Sequence, residues 1–82
     1  MNADRAEIAQ RISRYLNKRL GATVQAQEDI YERGLVTSMF AMELVVQLEQ
    51  AFSIEILGPD LQLANFRSVD TMTDLVLKLR TV

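Results

Sequence analysis

The sequence predicts an all-α fold: a small four-helix bundle, three main helices and one short one, with a long first loop. Apolar residues recur at helical spacing in three separate stretches, Ile8 to Leu20, Phe40 to Phe52 and Val69 to Leu79. The one β-like stretch, Ser53 to Ile56, is too short and isolated to need a sheet partner. The 82 residues are expected to form one domain, 1–82, with a modest core.

The first helix is expected from about Ala3 to Leu20. Ile8, Ile12, Leu16 and Leu20 follow one another at intervals of four, with Tyr15 beside them, and make one apolar stripe. Asn2 or Asp4 is placed to cap its start, and Gly21 reads as its stop. From Gly21 to Thr37 the periodicity fades into a loop pinned to the core by Ile30 and Leu35. Loops of that length tend to be functional or mobile.

The second helix is expected from Ser38 to Phe52. Phe40, Leu44, Val45, Leu48 and Phe52 give it the strongest helical pattern in the chain. Ser53 to Ile56 reads as an extended connector and Gly58-Pro59-Asp60 as a turn, with Pro59 able to open a short helix reaching about Ala64. Ser68 is a good N-cap for the last helix, and Asp70 in its first turn suits the helix dipole. Val69, Met72, Leu75, Val76 and Leu79 form its buried stripe, Phe66 packs back before the cap, and Lys78 and Arg80 complement its C-terminal end.

Composition narrows the function classes. Apolar residues make up 49% and charged residues 24%, as in a soluble globular protein, and a cytoplasmic location is the default. No apolar run approaches the 18 or so residues of a membrane span. Asp4, Arg5 and Glu7 break up any signal-like segment. Without Cys or His there are no disulfides, no thiolate sites and none of the usual zinc ligand sets. The same absences remove the commonest bases and nucleophiles, so an enzyme is not expected.

Net charge is −2, unevenly spread. Residues 1–20 hold five basic and two acidic groups, a local +3, and the remainder holds four basic and nine acidic, a local −5. The basic segment has one aromatic, Tyr15, and no nucleic-acid-reading motif, so it reads as a solvated helix face. A nucleic-acid binder acting through Arg11, Arg14, Lys18 and Arg19 ranks last among the readings considered, and no nucleic-acid partner is expected.

One hydroxyl stands out. In Gly34-Leu-Val-Thr-Ser-Met-Phe40, Ser38 lies between a glycine turn and the strongest amphipathic helix. On spacing alone its simplest role is to cap that helix, a contribution of about 1 kcal/mol, with Thr37 as the competing cap. Capping is compatible with modification. A helix N-terminus also favours a phosphodiester through its free N–H groups and positive dipole end.

The residues around Ser38 resemble the acyl and peptidyl carrier protein family. Gly34, Leu35, Ser38 and Met39 match its attachment motif. Glu43, Leu44, Leu48, Glu49 and Phe52 continue the pattern, Ile54-Glu55-Ile56 matches its apolar–acidic–apolar end, and Phe66, Ser68 and Val69 match the entrance to the last helix. The resemblance spans about Ile8 to Leu79. It implies a four-helix carrier domain in which Ser38 bears 4′-phosphopantetheine, installed from coenzyme A by a phosphopantetheinyl transferase. The thiol of that arm would hold an acyl or aminoacyl thioester supplied by a loading enzyme and passed to a downstream synthase.

Two departures refine the expectation. The acidic residue usual before the serine is Thr37 here, which points to a broad-specificity transferase. The second helix carries only Glu43 and Glu49, so electrostatic steering should be weaker than in strongly acidic carriers. Docking is therefore assigned to Thr37, Met39, Met42, Glu43 and Val46, with methionine suited to an adaptable surface. For Met39, Phe40, Met42 and Val46 the plain alternative stands at even weight: Phe40 in the core, the others ordinary partial exposure. The phrases Ser-Met-Phe-Ala-Met-Glu-Leu-Val and Asn-Phe-Arg-Ser-Val-Asp-Thr-Met are similar to discrete carriers of polyketide and nonribosomal-peptide secondary metabolism. Some of these hold unusual extender units such as glyceryl, methoxymalonyl or aminomalonyl groups. A monomer is expected. The alternatives are a peptidyl carrier for an amino acid and an unmodified helical interaction module in which Ser38 only caps.

Overall fold

The structure is a computed structural model and describes residues 2–32, 34 and 37–80, with side chains from residue 4 onward within those ranges. Among the described residues it is all-helical and has no strand. Three α-helices, α1 (Asn2–Leu20), α2 (Ser38–Phe52) and α3 (Val69–Arg80), account for the main elements.

The predicted stripes meet in one core. Ile8, Ile12 and Leu16 of α1, Phe40, Leu44 and Leu48 of α2, and Val69, Met72, Leu75 and Val76 of α3 are all buried. Leu20, Tyr15, Val45, Phe52 and Leu79 pack against its edge and are partly exposed. Thr73 is also buried, and its hydroxyl is satisfied by donating to the Val69 carbonyl at 2.7 Å.

α1 starts at Asn2, so Asp4 is not its cap but lies in its first turn, where a carboxylate suits the dipole. The Asn2 side chain lies outside the described part. Gly21 ends α1 with φ +66, a left-handed conformation natural to glycine, and its N–H bonds the Asn17 carbonyl at 2.9 Å. The long loop is held by Ile30, as expected, and also by Val24. Leu35 lies outside the described residues. Backbone bonds fasten this loop to the start of α3: Ile30 N–H to the Arg67 carbonyl at 2.8 Å, and Asp70 N–H to the Ala26 carbonyl at 2.9 Å. Asp29 reinforces the tie with a 2.7 Å bond to Arg67.

The expected short helix from Pro59 to Ala64 is corrected to two separate 3-10 turns, Gly58–Asp60 and Leu63–Phe66. Between them Leu61 (ψ 67) and Gln62 (φ −125, ψ 141) leave helical geometry. The Gln62 and Asn65 amides donate to the Pro59 and Asp60 carbonyls at 3.0 and 2.9 Å. Those carbonyls are thereby satisfied without a continuing helix. Ser68 caps α3 as expected: its Oγ accepts from Thr71 N–H, and Thr71 Oγ1 accepts from Ser68 N–H, each at 3.1 Å.

α1 packs chiefly on α3. Its contact with α2 is made by long side chains. The rings of Tyr15 and Phe40 lie parallel at 6.4 Å, and Arg11 covers the Phe52 ring at 4.6 Å while bonding the Ala51 carbonyl at 3.1 Å. This spacing leaves an open groove along the outer side of α2.

Candidate functional site at the start of the second helix

The turn before α2 is set by Gly34, whose φ of +72 favours glycine and whose N–H closes on the Tyr31 carbonyl at 3.0 Å. Thr37 then takes up extended geometry (φ −98, ψ 167), and its Oγ1 accepts from Phe40 N–H at 3.2 Å. Its carbonyl accepts from Ala41 N–H at 3.0 Å. Thr37 is therefore the N-cap. The simplest expectation for Ser38, that it caps the helix, is corrected: Ser38 is the first residue inside α2.

This exchange frees the serine. Ser38 is exposed, and its hydroxyl takes part in no hydrogen bond among the described residues. Helix geometry gives the N–H groups of Ser38 and Met39 no intrahelical partner, so the dipole's positive end opens beside the hydroxyl. The first turn of α2 contains no acidic residue that would repel an anion.

The other expected docking residues divide clearly. Phe40 is core, as the plain alternative held, at 7% exposure. Met39, Met42 and Val46 remain open at 74%, 72% and 50%. With Glu43 they line one groove of about 500 Å³, closed on the α1 side by Tyr15 and Arg19. Thr37 and Ser38 sit at the head of α2 and are not part of that lining.

Glu43 is engaged within the molecule. Arg19 donates to it at 2.7 Å and lies over the Phe40 ring at 5.2 Å. That hydrogen bond is the main reason the guanidinium is held even more firmly protonated than usual. Tyr15 and Arg19 were not singled out by sequence reasoning for this site. Their positions on α1 gave no signal of which helix they would face.

A second hollow of about 150 Å³ lies on the other side of Met42, which lines both. Tyr31, Val45, Leu61, Leu63 and Phe66 contribute to its walls. The Tyr31 hydroxyl is buried with no hydrogen-bond partner among the described residues. Burial is the main cause that pushes its pKa above the ordinary tyrosine value, with Asp29 adding to the rise and Arg67 opposing it.

Among the described residues no cluster of His, Cys, Asp or Glu could hold a metal ion, and no helix is long and apolar enough to cross a membrane. No protein-family model matches the chain, and no curated protein or solved structure matches it either.

Proposed function

We propose that this chain is a discrete carrier protein rather than an enzyme, with Ser38 as the attachment point for 4′-phosphopantetheine. The observation that carries the reading is the exposed Ser38 hydroxyl at the head of α2, unengaged because Thr37 does the capping. The group fits this place. Ser38 is exposed, the free N–H groups of the helix start and the helix dipole suit a phosphodiester, and no carboxylate stands in the first turn. When bound, the arm supplies the thiol this Cys-free chain lacks, and that thiol holds an acyl or aminoacyl thioester.

Attachment forms one bond from Ser38 Oγ to the pantetheine-bearing phosphorus of coenzyme A. The pyrophosphate linkage breaks, adenosine bisphosphate leaves, and the serine proton passes to the transferase. The chain's own part is to present the hydroxyl and seat the partner. The groove lined by Met39, Met42, Glu43 and Val46, with Thr37 capping the same helix outside it, offers a largely apolar surface for exchangeable docking. Tethering then raises the effective concentration of the cargo at each docked enzyme.

On this reading the two 3-10 turns stand where the short helix of a four-helix carrier bundle is expected. Thr37 acquires a physical explanation as well. An acidic residue at that position caps a helix and adds charge, whereas threonine keeps the cap and drops the charge, which suits a broad-specificity transferase. The motif phrases around Ser38 and Phe66 favour secondary metabolism as the setting, with cytoplasmic loading and synthase enzymes as partners.

The test is intact mass after incubation with coenzyme A and a broad-specificity phosphopantetheinyl transferase. A single phosphopantetheine increment is expected on the wild type and none on Ser38→Ala. A folded wild type that gains no increment would overturn the carrier reading. It would leave a helical interaction module, a role the exposed apolar face of α2 would also serve.

A further inference from the structure

Ser38 is bordered by sulfur on its own helix. Met39 follows it directly and Met42 lies one turn on, each about three-quarters exposed, while Met72 is fully buried. The chain has no cysteine, the side chain that ordinarily reacts first with peroxide. Among the described residues, a two-electron oxidant therefore finds its open sulfur targets only at the head of α2. Met42 also stands on the ridge between the two hollows and lines both.

We propose that Met39 and Met42 form a reversible oxidation site that controls docking at Ser38. The inference rests on the carrier reading above. The thioether sulfur attacks one oxygen of hydrogen peroxide, the O–O bond breaks, and the second oxygen leaves as water. The sulfur is oxidised to a neutral sulfoxide and the peroxide is reduced. Methionine sulfoxide reductases return the thioether with two electrons and two protons from an external dithiol, which becomes a disulfide as the sulfoxide oxygen leaves as water.

The consequence follows from position. A sulfoxide replaces an apolar, adaptable contact with a polar oxygen acceptor. Any partner that seats apolar atoms against Met39, Met42 and Val46 would then cover that acceptor without supplying a donor, which is unfavourable. The fold itself is unaffected, because both side chains lie outside the core while Met72 is shielded within it. Oxidation thus acts on recognition and spares stability.

The experiment treats the purified chain with hydrogen peroxide, maps the sulfoxides by peptide mass, and measures the initial rate of phosphopantetheine loading and the thermal midpoint. Oxidation of Met39 and Met42 ahead of Met72 is expected, with an unchanged midpoint. Loading should slow on the order of tenfold through a raised KM, and treatment with reductases of both epimer specificities should restore it. A Met39→Leu/Met42→Leu variant, compared with itself untreated, should lose nothing to peroxide. Sulfoxides at both positions with an unchanged loading rate overturn the proposal, as does oxidation of Met72 at the same pace or equal peroxide sensitivity in the double variant. If the untreated wild type is never loaded, the carrier reading falls and takes this proposal with it. An unchanged rate after oxidation removes the proposal alone.

Discussion

Both faces of α2 carry large apolar side chains, yet the fold buries those of only one. Phe40, Leu44 and Leu48 point inward and are buried, whereas Met39, Met42 and Val46, interleaved with them in sequence, stand in the open. Burying a large apolar side chain stabilises a fold by about 1.5–3 kcal/mol, and the outer three residues forgo most of that. Single exposed apolar residues are ordinary, but here three line one groove near an exposed hydroxyl, the arrangement on which the proposed docking role rests. On the proposed carrier reading the inner face answers to stability and the outer face to recognition, so mutations on each should move different observables.

The largest expected effect lies on the inner face. Leu44 is fully buried in the shared core of a domain whose core is modest. Leu44→Ala should cost about 2–5 kcal/mol, enough to leave much of a marginally stable chain unfolded. On the outer face, Met42→Ala should stay within about 0.5 kcal/mol of wild type, because no core contact is lost. Denaturant titration of the two variants checks this. A Met42→Ala cost comparable to that of Leu44→Ala would erase the distinction between the faces.

A smaller effect separates the two hydroxyls at the head of the helix. Thr37→Ala removes the acceptor for Phe40 N–H and should cost about 1 kcal/mol. Ser38→Ala removes no hydrogen bond and should be neutral within about 0.5 kcal/mol, while abolishing loading. Reversed costs in chemical denaturation would show that Ser38 is the cap after all, and would weaken the case for its availability.

How much of this was legible in the sequence depends on whether a feature is local. The inner face of α2 was, because Phe40, Leu44 and Leu48 keep a helical period that survives any packing arrangement. The Ser68 cap was too, since no rival cap residue adjoins it on the outer side. At Thr37-Ser38 two good cap residues stand together, and sequence alone does not say which one the turn makes extended. Val24 escaped notice as a lone apolar residue in a polar run. The broken short helix depended on Gln62 and Asn65 reaching back to carbonyls, which is a side-chain choice rather than a pattern. The wall of Tyr15 and Arg19 across the groove required knowing how α1 lies beside α2.

A modest effect of opposite sign is expected at Tyr31, which lines the second hollow together with Met42. Its hydroxyl is buried and finds no partner among the described residues, a desolvation cost without a compensating bond there. Tyr31→Phe keeps the ring and removes the cost, so a gain of up to about 1 kcal/mol is expected at neutral pH. The sign of the pH dependence follows from burial raising the phenol's pKa in the folded state. Below the ordinary tyrosine value, near pH 10, both folded and unfolded chains keep the proton and Tyr31 contributes no slope. Above it the unfolded chain releases its proton first, so wild-type stability should fall as pH rises towards the folded value. The Tyr31→Phe variant should lack this part of the alkaline loss. Denaturation midpoints of the two proteins, followed from neutral to strongly alkaline pH, should therefore diverge further above about pH 10. Parallel curves throughout would mean that the hydroxyl finds a partner in solution, and that the second hollow is better solvated than its apolar walls indicate.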